Sequence, residues 1–238
     1  MRLRPAALLS VALLAATTTS AWAHARPQTT APLPNQRLAQ SPARISINYD
    51  DPIDAAQSEL VLLDGRGAQV ATTPLPVTGN AQAAVAPIDP LPAGPYTVAW
   101  TSLDAADGDR AKGFFTFAVE GAAGGILAGS AQAQQPAADL MATLTVGASE
   151  DSSSWMRVDL NDTRGVERVR IWLARDDLGE DLLEANATGD GGWVLAGNEV
   201  ALPGAWHAIV VVRRTNIVDD AQAAFDFTVD PATGVPAF

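Results

Sequence analysis

The chain contains no cysteine. Disulfides, thiolate metal sites, cysteine nucleophiles and C-x-x-C redox chemistry are therefore excluded, and any fold must rest on apolar cores alone. Histidine is almost as scarce. His24 and His207 are the only two, which leaves little scope for histidine-based hydrolysis. No nucleotide-binding loop, G-x-S-x-G elbow or H-E-x-x-H helix occurs. The acidic residues are dispersed over short turns rather than set as the facing pair of a glycosidase. No catalytic residue is assigned, and the chain is expected not to be an enzyme.

What is present begins with a leader-like segment. MRLRP is followed by AALLSVALLAA and TTTSAWA, the order of a basic region, a short apolar region and a small-x-small cleavage site. Residues 1–23 are read as a signal peptide, with cleavage after Ala23 making His24 the first residue. The apolar run is well short of the roughly 20 residues that cross a bilayer, so no membrane span is expected in the mature chain. The expected location is the periplasm or the extracellular space. Removing residues 1–23 takes away two basic residues and no acidic one, moving the formal charge from −12 to −14. Such a surface disfavours nucleic acid as a partner.

From residue 41 to 119, short alternating runs are punctuated by turn residues. The candidate strands are 43–49, 58–64, 67–73, 81–88, 95–102 and 113–120. A second series comprises 139–148, 154–162, 166–175, a weaker 182–188, 192–197, 204–214 and 223–230. No long segment repeats with a period of 3.6 residues. The fold class expected is all-β, two tandem immunoglobulin-like β-sandwich domains. Their bounds are 24–120 and 139–230. The small, nearly uncharged stretch 121–138 reads as a flexible linker, and 231–238 as a loose tail.

The first domain resembles the CopC family of periplasmic copper-binding proteins. The resemblance rests on His24-Ala25, Ser41-Pro42, Tyr49-Asp50-Asp51-Pro52-Ile53-Asp54, the string Leu91-Pro92-Ala93-Gly94-Pro95-Tyr96-Thr97-Val98-Ala99-Trp100, and Asp107-Gly108-Asp109 leading into Gly113-Phe114-Phe115-Thr116-Phe117. It implies a Cu(II) site formed by His24, Asp51, Asp107 and Asp109. Asp109 stands where the family has histidine. A first-residue histidine offers an α-amine and an imidazole to one ion, and Cu(II) favours such nitrogen donors. Exchanging the second imidazole for a carboxylate lowers affinity and selectivity. Three carboxylates would also repel one another unless a cation lies between them or they do not converge. Read without the resemblance, Asp107-Gly108-Asp109 and Asp51-Pro52 are ordinary turn sequences. Met141 and Met156 both lie in the second domain, so a thioether Cu(I) site in the first is excluded.

Residues 139–230 resemble the YtkA-like or FixH-like domain found at the end of CopC–CopD fusion proteins. This rests on Asp190-Gly191-Gly192-Trp193, Leu202-Pro203-Gly204-Ala205-Trp206, Val212-Arg213-Arg214, Asp219-Asp220 and Ala224-Phe225-Asp226-Phe227. It implies a CopD-like membrane protein as partner. The tryptophans are expected to fill or edge the core, His207 to be structural, and Arg213 and Arg214 to pair with Asp219-Asp220. The alternative function is a noncatalytic envelope interaction module that has lost tight copper binding.

Overall fold

A computed structural model describes residues 25–70, 81–121, 129–148, 154–197 and 199–238, and these are entirely non-helical. The all-β expectation holds. In the first half the strands are β1 (Pro27–Ala31), β2 (Gln36–Leu38), β3 (Arg44–Tyr49), β4 (Glu59–Asp64), β5 (Ala83–Pro87), β6 (Gly94–Leu103) and β7 (Arg110–Val119). They form a three-stranded sheet, β1-β3-β5, and a four-stranded sheet, β2-β7-β6-β4. Among the described residues of this half, only β2 runs parallel to its neighbour. Alternation along RISINY explains the packing, because successive side chains leave opposite faces of a strand. Ile45, Ile47 and Tyr49 turn inward to meet Leu60, Leu62, Val98 and Phe117, while Arg44 and Asn48 stay exposed.

The second half contains β8 (Gly129–Ala137), β9 (Leu140–Ala148), β10 (Ser154–Leu160), β11 (Val166–Arg175), β12 (Gly179–Ala187), β13 (Trp193–Gly197), β14 (Gly204–Arg214), β15 (Ala221–Val229) and β16 (Pro236–Ala237). They make one sheet in the order β16-β15-β14-β11-β12-β13-β10-β9-β8. It folds over on itself at β12, which pairs with β11 along 179–185 but with β13 only at Asn186 and Ala187. The two outer edges then approach, with β15 and β16 against β8. Leu144, Met156, Ile171, Leu173 and Phe225 fill the space between.

Three expectations need correction. The stretch read as a linker contains β8, whose residues 129–137 pair in continuous register with β9. Its small residues suit a linker in isolation, but a long neighbouring strand supplies the ladder that local propensity does not. The tail is not loose. Pro236 and Ala237 pair with β15, and the Phe238 ring lies 6.2 Å from that of Phe225 and 5.7 Å from that of Phe227. Of the expected strand at 67–73, Gln69 makes a single bridge to Leu63, and 71–73 lie outside the described residues. β1 and β2 had no counterpart among the expected strands.

The two halves are also in contact. Phe114, on the outer face of β7, is buried in the second half's core against Trp206, with ring centroids 5.6 Å apart. Burying a side chain of this size stabilises by about 1.5–3 kcal/mol. β12 crosses β7 where both strands carry glycine. A Cβ on Gly179 (φ +97°) would lie 2.7 Å from the Lys112 carbonyl oxygen, and one on Gly113 would lie 2.5 Å from the Trp100 ring. Larger residues would push the strands apart. Coverage of that outer face is why Thr97 and Thr116 are buried although they alternate with the inward residues.

Candidate metal centre

At one end of the first sandwich, three chain segments are stitched together: the entry to β1, the β3–β4 loop and the β6–β7 loop. Ala25 is buried, and its carbonyl accepts a hydrogen bond from Ser102 Oγ at 2.9 Å. The Arg26 N–H donates to Asp50 Oδ1 at 2.6 Å, and the Asp50 N–H donates back to the Arg26 carbonyl at 3.0 Å. The entry segment is thus fixed beside the β3–β4 loop. That loop is in turn tied to the β6–β7 loop. The Asp54 N–H donates to the Leu103 carbonyl at 2.9 Å and the Ala105 N–H to that of Pro52 at 3.0 Å.

Within the β6–β7 loop, the sequence Asp104-Ala105-Ala106-Asp107-Gly108-Asp109 makes its own support. Asp104, almost fully buried, accepts from the Ala106 N–H at 2.7 Å. Asp107 Oδ1 accepts from the Asp109 N–H at 2.9 Å, and Gly108 takes a positive φ of 78°, which glycine adopts without steric cost. The Asp104 N–H closes the loop by donating to the Asp109 carbonyl at 2.8 Å. These bonds are those of a capped turn.

Asp51, Asp107 and Asp109 therefore lie on adjoining loops, and all three are exposed. His24 lies outside the described residues. Among the described residues no three His, Cys, Asp or Glu side chains stand close enough to hold a metal ion. The three carboxylates thus share an end of the fold without converging, which avoids their mutual repulsion. Asp107 has one carboxylate oxygen bonded into its turn. The chemistry available among the described residues is that of oxygen donors on two tethered loops.

Sequence reasoning passed over Asp50 and Asp104, the carboxylates that hold these loops in place. For Asp50 the acidic run Tyr49-Asp50-Asp51-Pro52-Ile53-Asp54 was itself the signal, since Asp commonly caps turns. It also passed over two carboxylates near the junction of the halves. Asn35, between β1 and β2, donates through Nδ2 to Glu199 Oε1 and accepts from Thr116 Oγ1 at 2.9 Å. Burial, with a smaller contribution from nearby Asp181, pushes the Glu199 carboxyl up to about 7. Burial pushes Asp181 up to about 6. In the second half, His207 Nδ1 lies 2.7 Å from Asp226 Oδ1 on the paired strand, and Trp193 and Trp206 are buried. Arg213 pairs with Asp220 at 3.2 Å, whereas Arg214 reaches Asp139 at 2.5 Å.

With this arrangement described, comparison with known proteins becomes informative. Residues 28–120 match the CopC domain. The matched span is less than half of the chain and includes Asp51, Asp107 and Asp109. Among solved structures, CopC from Methylosinus trichosporium OB3b is 22% identical over 41% of this chain and 94% of its own, with a TM-score of 0.38. PcoC, a methionine-rich copper resistance protein from Escherichia coli, is 24% identical over 41% of this chain and 100% of its own, with a TM-score of 0.35. The fibronectin(III)-like modules of Clostridium thermocellum CbhA are 12% identical over 87% of this chain and 90% of their own, with a TM-score of 0.23. No curated protein matches the chain.

Proposed function

We propose that this protein is an extracytoplasmic Cu(II)-binding protein of copper resistance or delivery, with a degenerate CopC-type site made by His24, Asp51, Asp107 and Asp109. The observation that carries the reading is the CopC domain match over residues 28–120. The hydrogen-bonded meeting of the β3–β4 and β6–β7 loops beside Ala25 supports it further. Copper is cargo here, not a catalytic group, and no reaction is assigned. Signal cleavage frees the His24 amine, so that amine and imidazole supply nitrogen to the ion and the loop carboxylates supply oxygen. Asp109 in place of a second imidazole makes binding weaker than a two-histidine site would. The second half, read as a YtkA-like or FixH-like domain, docks onto a CopD-like membrane protein.

A second reading, an envelope interaction module without tight copper binding, is favoured by the absence, among the described residues, of a closed three-donor group. Cu(II) titration of the chain beginning at His24 separates the two, with electron paramagnetic resonance and a control bearing one extra residue before His24. One-to-one binding with a nitrogen-rich signal, lost in the control, is the expected result. Weak binding indifferent to the added residue would sink the copper role and leave the interaction module.

A further inference from the structure

A cleft of about 780 Å³ lies where the two halves meet, with Trp100, Phe115 and Trp172 among its lining residues. Its first-half wall is β1, the edge strand of the three-stranded sheet, which pairs with β3 and with no other strand among the described residues. Its second-half wall is the start of β12. Because β13 reaches β12 only at Asn186 and Ala187, residues 179–185 pair with β11 and with no other strand among the described residues, β7 crossing them at Gly179 and Glu180 and leaving 181–185 as the open edge. Two open strand edges therefore border one cleft. Each is a row of backbone donors and acceptors of the kind that templates a further strand.

The side chains around it define what fits. The aromatic residues favour apolar groups against them. Leu33 and Leu182, which also line the cleft, are 57% and 46% exposed, an unusual degree for leucine in a recess and a ready contact for an apolar partner. Charge is divided, with Arg110 and Lys112 contributed by the first half and Glu180 and Asp181 by the second. A ligand of one sign would meet repulsion from one wall. A small apolar ligand would leave the backbone edges unmatched. An extended polypeptide satisfies both requirements.

We propose that the cleft between β1 and β12 binds an extended peptide segment of a protein partner by strand addition. Alternate residues of that segment are apolar and face Trp100, Leu33 and Leu182, and the intervening ones carry charges of both signs. This inference does not rest on metal binding, since neither Asp51 nor Asp107 lines the cleft.

The test is to pan a phage-displayed library of random linear dodecamers against the full mature chain. Counter-selection uses a Leu33→Glu/Leu182→Glu variant, whose changes fall on exposed side chains, with circular dichroism and thermal unfolding confirming that its fold is intact. Enriched peptides should alternate apolar and mixed-charge residues and bind the variant at least roughly tenfold more weakly. N-methylation of one alternate set of peptide amides should weaken binding about tenfold per position, and of the other set far less. Hydrogen exchange should slow in residues 27–30 or 181–185. Failure to enrich any peptide over the variant would overturn the proposal. So would N-methylation without effect, which would make the cleft an apolar small-molecule pocket, or protection confined to other strands.

Discussion

The two halves of the molecule use most of their aspartates differently. In the second half, many are committed to arginine: Arg157 holds Asp159 and Asp190, Arg164 holds Asp162, Arg175 holds Asp177, and Arg214 holds Asp139, although Asp230 caps a turn through the Ala232 and Thr233 N–H groups. At the candidate metal end of the first half, Asp50, Asp54, Asp104 and Asp107 accept from backbone N–H groups, joined at Asp54 by the Gln57 side chain. A carboxylate capped by one N–H keeps lone pairs for another partner. One gripped by a guanidinium fork has little left to give a cation. The comparison teaches that acidity alone does not mark a metal site. What separates the halves is how each carboxylate is already occupied.

Breaking the contact between the halves should have the largest effect. Phe114→Ala removes an aromatic side chain buried in the other half's core, and a loss of about 3–5 kcal/mol is expected. Calorimetry should show one unfolding transition splitting into two. A single transition at lower temperature would mean that the halves remain one cooperative unit without this ring.

Copper affinity sharpens the comparison next. Asp51→Asn or Asp107→Asn should weaken Cu(II) binding roughly ten- to a hundredfold, while Asp159→Asn and Asp177→Asn, which release arginines, should leave it unchanged. Isothermal titration of the four variants checks this, and equal losses in all four would reduce the effect to overall charge.

Stability should also depend on pH through the junction. The folded protein holds Glu199 at about 7 against an ordinary value of 4.5. With the folded value raised, the stabilisation is fully present below about pH 4.5 and is lost as pH rises through 7. Asp181, at about 6, acts with the same sign. Denaturant unfolding should therefore show a loss on the order of 2 kcal/mol between pH 5 and pH 8. Glu199→Gln should flatten most of that slope.

The smallest effect is expected from ending the chain after Asp230. That removes the β16 pairing and the Phe238 ring contacts, and the midpoint of thermal unfolding should fall by a few degrees, an effect of about 1–2 kcal/mol. An unchanged midpoint would restore the reading of 231–238 as a tail.

Much of the fold was legible along the chain. The alternation in RISINY and AAFDFTV fixes strand faces locally, since a period of two needs only neighbouring residues to declare itself. The turns Asp64-Gly65-Arg66-Gly67 and Asp107-Gly108-Asp109 were legible for the same reason. β8 was not, because its small residues become a strand only by pairing with β9. Nor was the closed β16 edge, whose Pro236 and Ala237 carry no strand pattern of their own. At the candidate site, Asp51, Asp107 and Asp109 could be named from the sequence, but Asp50 becomes a support only by accepting from the Arg26 N–H, 24 residues earlier, and the turn that Asp104 caps is set beside the β3–β4 loop only by backbone bonds between the two loops.

By itself, then, the sequence determined the all-β character, the strand faces, the lack of thiol chemistry and the identity of the candidate donors, all of which depend on residue type and short-range order. The tertiary structure decided which loops meet, that the carboxylates do not converge, and that Phe114 belongs to the other half's core. Those outcomes depend on which sheets stack against each other, a long-range choice set by the packing of whole faces, and no single segment encodes it.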